Sequence, residues 1–273
     1  MTPDAPRDPE PRTITLSCGP LSLTDEGTGP GLVLLHGVPG SVRDYRWLAV
    51  GLEGLRVIRL DEPGFGATPA RTGHGASVPE RAGAILEAIE VLGLTRFAVL
   101  GHSMGGPLAM EVARRAADRV TKLILLASVG LRPHRLWRRL HRRPELAPVL
   151  DWPLVGARVA GALRARMIAQ GFPSSTTIEA AAQTMRIVSR LRFDDVRAAA
   201  RGVRAPAMLA WTEDDAWVES SIALELGALL PAGPRVAYAD GGHNLQKTRA
   251  IELAEEIAAF VGPGSSSNGG QVR

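Results

Sequence analysis

Aromatic residues make up only 4% of this 273-residue chain, so aliphatic side chains must fill whatever core it builds. Cys18 is the single cysteine, which excludes an intrachain disulfide and fits a reducing, cytoplasmic setting. It lies in an alternating segment and reads as a packing residue. No stretch reaches the roughly 20 consecutive apolar residues of a membrane-spanning helix. The best candidate, 147–163, is interrupted by Asp151, Arg158 and two prolines. The first dozen residues, MTPDAPRDPEPR, lack the apolar stretch of a secretory signal and read as a flexible leader, 1–12. The last twelve, GPGSSSNGGQVR, read as a disordered tail, 262–273. There is no phosphate-binding Walker loop, no H-E-x-x-H and no dinucleotide fingerprint on a suitable strand. No cofactor, no metal and no nucleic acid partner are therefore expected.

Lysine is missing from residues 131–204, which instead hold fifteen arginines and five acids. That segment carries +10 and leaves −6 for the remainder of a chain whose total is +4. Such asymmetry suits an anionic partner. The preferred reading is a solvated face in a chain that favours Arg over Lys throughout.

Hydrophobic residues make up 45%, enough for one large domain with an insertion. Strand-like and helix-like segments alternate, which predicts a mostly parallel sheet with helices on both faces. Strands are expected at 13–17, 21–25, 32–36, 55–60, 96–100, 122–127, 207–211 and 236–239, the first two as a hairpin turning at Gly19-Pro20. Helices are expected at 43–52, 78–92, 104–116, 220–230 and 247–261. Residues 131–204 show helical stretches and no clear strand. The chain thus divides into a sheet-bearing body, 13–130 with 205–261, and a helical insertion, 131–204.

The strongest chemical signal is Gly101-His102-Ser103-Met104-Gly105, between an apolar strand and a helix. A serine there sits on a turn so tight that glycines must flank it, and its hydroxyl is pushed clear of the sheet. With this nucleophile elbow the chain resembles the α/β-hydrolase fold superfamily, over about 13–261. The resemblance implies that the insertion is the family's helical cap. It also implies that His36-Gly37-Val38-Pro39-Gly40 is the oxyanion loop, with Val38 one backbone donor and Met104 the other. Asp61-Glu62-Pro63-Gly64-Phe65-Gly66 resembles a structural turn of the family in which Asp61 ties down the loop.

The family order is serine, acid, histidine. Trp211-Thr212-Glu213-Asp214-Asp215 ends a strand, where the family pattern is G-x-x-D. Thr212 departs from that glycine. The register favours Asp215 as the acid, with Asp214 the alternative. Asp240-Gly241-Gly242-His243 follows the last strand, and His243 is the best placed of six histidines to be the base. In the cap, Leu136, Trp137, Met167, Ile168 and Phe172, with Trp217 beyond it, are candidates for apolar substrate contacts. The stripe of Leu136, Trp137 and Leu140 among arginines could also form a lid on a lipid surface, but packing against the body is preferred.

The resemblance implies hydrolysis of a carboxylic ester or lactone, on a small apolar substrate, through an acyl-enzyme. Alternatives are acyl transfer, perhydrolysis, carbon–carbon bond hydrolysis, or a non-catalytic ligand-binding homologue. Haloalkane dehalogenases and epoxide hydrolases of this family use aspartate where this chain has Ser103, and carbon–carbon hydrolases commonly have tryptophan where it has Asn244. Nothing in the sequence indicates an oligomeric state.

Overall fold

A computed structural model describes residues 6, 8–70, 76–140, 144–152 and 155–262. Most of the leader, the tail beyond residue 262, His74, His141 and the side chain of Leu140 lie outside the described residues. The chain opens on β1 (Arg12–Leu16) and β2 (Gly19–Glu26), followed by β3 (Gly31–Leu35), α1 (Arg46–Val50) and β4 (Arg56–Leu60). Next come α2 (Val78–Val91), β5 (Phe97–His102), α3 (Gly105–Arg115) and β6 (Val120–Leu126). Four helices follow: α4 (Arg135–Leu140), α5 (Val155–Ala169), α6 (Ile178–Ser189) and α7 (Phe193–Gly202). The chain then returns through β7 (Ala207–Thr212), α8 (Ser220–Leu229), β8 (Arg235–Tyr238), α9 (Leu245–Thr248) and α10 (Ala250–Val261).

The eight strands form one sheet in the order β1-β2-β4-β3-β5-β6-β7-β8, antiparallel at the β1–β2 and β2–β4 pairs and parallel elsewhere. The central strands are apolar at nearly every position because both faces are covered. Successive side chains of a strand point to opposite faces. Val33, Val99, Leu125 and Leu209 join one buried layer with Ile85 of α2, Leu108 of α3, Ala199 of α7 and Ile222 of α8. Leu34, Leu100, Ile124 and Met208 join the other with Leu48 of α1 and Leu253 and Ile257 of α10. Each fully buried Leu or Ile contributes roughly 1.5–3 kcal/mol, so aliphatic layers on two faces suffice where aromatics are few.

Three details differ from expectation. The hairpin turns at Ser17 and Cys18, with Leu16 opposite Gly19, so Cys18 is exposed rather than packed. Residues 42–45 form a 3₁₀ turn before α1, closed by a capping box between Ser41 and Asp44. The expected last helix is broken at Arg249, whose side chain is drawn to the Asp240 carbonyl and carboxylate. Within the stretch read as leader, Asp8 accepts a hydrogen bond from the buried Arg59 of β4 at 2.7 Å.

Between β6 and β7 the described residues contain helices and no strand. Several arginines there are already engaged. Arg132 pairs with Glu219 (3.1 Å) and Glu225 (2.9 Å), Arg138 with Glu219 (2.9 Å), and Arg186 with Asp151 (2.7 Å). Glu219 and Glu225 come from the acidic remainder of the chain, so part of the charge asymmetry is cancelled within the molecule. Among the described residues no helix is long and apolar enough to cross a membrane.

Candidate active site

β5 runs straight into Ser103, whose φ of +53° is one of two positive values among the described non-glycine residues. A serine held there costs on the order of 1–3 kcal/mol, which the surroundings must offset. Three backbone bonds do so. Ser103 N–H donates to Leu126 O (3.0 Å), and Ser103 O accepts from the N–H of Gly106 (3.0 Å) and Val129 (3.1 Å). The turn is crowded as well as strained. A Cβ on Gly101 would sit 2.3 Å from Gly105 O, and one on Gly105 would sit 2.2 Å from Leu35 O. Only glycine fits either position.

The last loop brings His243 across to this serine. Its Nε2 lies 2.9 Å from Ser103 Oγ, and its Nδ1 lies 2.8 Å from Asp215 Oδ2. A carboxylate can only accept, so Nδ1 carries the proton and Nε2 is free to accept from the serine hydroxyl. Asp215 is buried. Burial alone would push its carboxyl up, but the bonds and charge of His243 and the N–H groups of Val218 (3.0 Å) and Trp217 (2.7 Å) outweigh this and hold it below the usual carboxylate range. Of the two candidate acids, Asp215 is therefore the one on the ring. Asp214 is exposed and turns the other way, accepting from the N–H of Gly242 (2.8 Å) and Gly241 (3.2 Å), with the Gly242 bond foremost in keeping it ionised.

The 36–40 loop lies against the serine. A Cβ on Gly37 would be 3.1 Å from Ser103 Cβ, so the loop closely approaches the serine side chain. His36 links this loop to the next one. Its Nδ1–H donates to Gly37 O (2.6 Å) while Nε2 accepts from Glu62 N–H (3.1 Å). Met104 is the N-cap of α3, so its N–H stands among the helix-end donors without intrahelical partners. Asp61 ties down its loop as expected, through Val42 N (2.8 Å) and Ala67 N (2.9 Å). Glu62 does not approach Ser103; it is buried against Arg81.

Four of the predicted apolar contacts converge. Leu136, Met167 and Phe172 form one cluster with Ala181, and Trp217 packs on it. Trp217 stacks on Phe172 at 4.5 Å, and its ring centroid is 4.8 Å from that of His243. Trp137 lies outside this cluster. It packs on Phe193 at 5.3 Å and joins the main core instead. Neighbouring helix positions point about 100° apart, so Leu136 and Trp137 cannot share this cluster; Ile168, beside Met167, is half-buried outside it for the same reason. The sequence reading missed Glu219 and His134. Glu219 accepts from Arg135 N–H (2.8 Å) and from Arg132 and Arg138, while the guanidinium of Arg135 donates to Asp215 O (3.0 Å). Thus α4 is seated on the acid's own loop. No local pattern announces this, since the partners lie eighty or more residues apart. A cavity of about 300 Å³ adjoins the 36–40 loop at Pro39 and Gly40 and reaches Phe65, Thr176 and Ala180.

Two buried histidines give a pH dependence. Burial, with the nearby His243, drops His102 to about 3, and burial drops His134 to about 4. Their unfolded forms take up protons near 6.5, whereas the folded forms do so only below these values. The unfolded chain therefore binds more protons between about 6.5 and 4, and stability falls as pH is lowered through that window. Urea midpoints should be flat above pH 7 and fall below pH 6, and His134→Asn should flatten part of the fall. An unchanged slope in that variant would refute the assignment.

A family model described as alpha/beta hydrolase fold matches residues 30–153. Haloalkane dehalogenase 2 of Mycobacterium tuberculosis is 39% identical over 127 residues, 46% of this chain. That match spans 44% of the dehalogenase, less than half its length. A 2-hydroxy-6-oxononadienedioate/2-hydroxy-6-oxononatrienedioate hydrolase of Paraburkholderia phymatum is 27% identical, across 87% of this chain and 89% of its own. Among solved structures, haloalkane dehalogenase DbeA of Bradyrhizobium elkani superposes with a TM-score of 0.74 at 18% identity, covering 92% of this chain and 97% of that one. At that identity the likeness speaks for the fold.

Proposed function

The chain has the α/β-hydrolase fold, and from that premise we propose that it is a serine hydrolase cleaving a carboxylic ester or lactone, with Ser103 as nucleophile, His243 as base and Asp215 as acid. The observation that carries the reading is the unbroken line from Ser103 Oγ through His243 to Asp215, with the serine on a positive-φ elbow. A serine hydroxyl is a poor nucleophile near neutral pH, and an adjacent oriented base remedies that.

In the proposed reaction Ser103 Oγ attacks the carbonyl carbon while its proton passes to His243 Nε2. The Asp215 carboxylate stabilises the resulting imidazolium. The N–H groups of Val38 and Met104 receive the developing oxyanion. Collapse breaks the carbon–oxygen bond to the leaving group, which takes the proton from His243. Water, deprotonated by His243, then attacks the acyl-serine, and a second collapse returns the proton to Ser103 and releases the acid. Trp217 and Phe172 make the wall beside His243 apolar, which suits an apolar group on the substrate.

A second reading, hydrolysis of a carbon–carbon bond, is favoured by the near full-length alignment with the Paraburkholderia enzyme. It would keep the same serine and histidine.

Intact-mass measurement after fluorophosphonate treatment tests the proposal. One adduct is expected, absent in Ser103→Ala and His243→Ala. A wild-type chain that stays unmodified would overturn it. Once labelling of wild type is established, turnover of simple aryl esters by the untreated enzyme separates the ester reading from the carbon–carbon one.

A further inference from the structure

His243 sits on a loop that would be slack if left to its own chain. Gly241 and Gly242 immediately precede it, at φ of +132° and +65°, and glycine explores far more backbone space than other residues. Yet the backbone here is gripped from three sides. The N–H of Gly242 donates to Asp214 Oδ1 (2.8 Å) and its C=O accepts the Thr212 hydroxyl (3.0 Å). The N–H of Gly241 donates to Asp214 Oδ2 (3.2 Å) and its C=O accepts the Thr248 hydroxyl (2.7 Å). His102 Nε2–H donates to the carbonyl of His243 itself (2.9 Å).

Two of these partners come from the end of β7, next to Asp215. Thr212 is fully buried and stands where the family pattern has glycine. Asp214 is the carboxylate left over once Asp215 takes the ring. Together they hold both ends of one residue, Gly242, directly before the imidazole. We propose that Thr212 and Asp214 are positioning residues that set the height of His243, so that Nε2 stays within hydrogen-bonding reach of Ser103 while Nδ1 stays on Asp215. This deepens the serine hydrolase reading and rests on His243 being the base. The same strand end would then carry two functions: Asp215 orients the ring about its own axis, and its neighbours fix the backbone that carries it.

The alternative is that these bonds only help the loop fold. The two differ in what they predict for a protein that is fully folded. Wild type, Thr212→Val, Thr212→Ser and Asp214→Ala should be compared at a temperature where circular dichroism shows all of them native. The readouts are the second-order rate of fluorophosphonate labelling, kcat and KM on p-nitrophenyl acetate, and the low-field proton resonance of the His243 Nδ1–H bonded to Asp215. A misplacement of about 1 Å at a reacting group costs up to about 100-fold. Thr212→Val and Asp214→Ala should therefore label about 10- to 100-fold more slowly, lose kcat with little change in KM, and broaden the low-field resonance. Thr212→Ser keeps the hydroxyl and should restore all three. Because Asp214 is exposed, Asp214→Ala keeps the test available should Thr212→Val fail to fold. Wild-type labelling in folded Asp214→Ala, or a Thr212→Ser no faster than Thr212→Val, overturns the positioning role and leaves the hydrolase reading standing. A wild-type protein that does not label overturns both.

Discussion

Ser103→Ala should lower turnover of an ester substrate by about 10⁴ to 10⁶, while the protein stays folded and still binds substrate. The size of the loss follows from the geometry. Only the hydroxyl is removed, and with it goes the proposed nucleophile. The helix-end and loop N–H donors remain, so the residual rate should still exceed that in water. His243→Ala should cost a similar amount, because without Nε2 the hydroxyl keeps its proton. The double variant should be no slower than the worse single one, since the two groups act as a unit. Stability should barely move in Ser103→Ala. Alanine inherits the positive φ and the same three backbone bonds, so the strain at residue 103 is unchanged. Steady-state kinetics with purified variants, alongside thermal unfolding, checks each part. Additive losses in the double variant would mean that serine and histidine do not share one step.

The second large effect is expected in stability. Glu62 and Arg81 pair inside the protein, each side chain about 1% exposed. Glu62 Oε1 and Arg81 Nε and Nη1 are buried without hydrogen-bond partners, so among the described residues no wider network supports the pair. Breaking such a pair leaves one charge uncompensated in a poorly solvating interior, which typically costs about 3–5 kcal/mol. Glu62→Gln and Arg81→Met should each destabilise by that order. The double change Glu62→Leu/Arg81→Met removes both charges and should recover most of the loss. Urea unfolding of the three variants decides the matter, and a double variant as unstable as the singles would contradict it. The effect should reach the site. The backbone N–H of Glu62 donates to His36 on the 36–40 loop beside Ser103, so a variant that shifts residue 62 should also slow fluorophosphonate labelling.

The parts legible in the sequence are those that local backbone chemistry imposes. The glycines around Ser103 are written into the chain because neighbouring backbone leaves no room for a Cβ at Gly101 or Gly105. The strands were legible because both faces of the sheet are buried, which produces short unbroken apolar runs such as 31–35. The parts that were not legible depend on direction. The register favours Asp215 over Asp214 but does not separate two adjacent, chemically identical carboxylates; the course of the chain out of β7 sends one to the imidazole and the other to the glycine N–H groups. Leu136 and Trp137 differ in the same way, by one helical step. The hairpin turn was misplaced by two residues because Gly19, at φ +114°, begins β2 rather than forming the centre of the turn.

By itself, then, the amino-acid order determined the alternation of strands and helices, the tight turn under Ser103 and the order serine, acid, histidine, because period, glycine placement and chain direction are local properties. Tertiary structure settled which of two adjacent aspartates meets His243, seated α4 through Glu219 on the loop that carries Asp215, and buried Glu62 against Arg81. Those outcomes are contacts between segments 19 to 84 residues apart, and such contacts follow from how the layers pack, which no local pattern encodes.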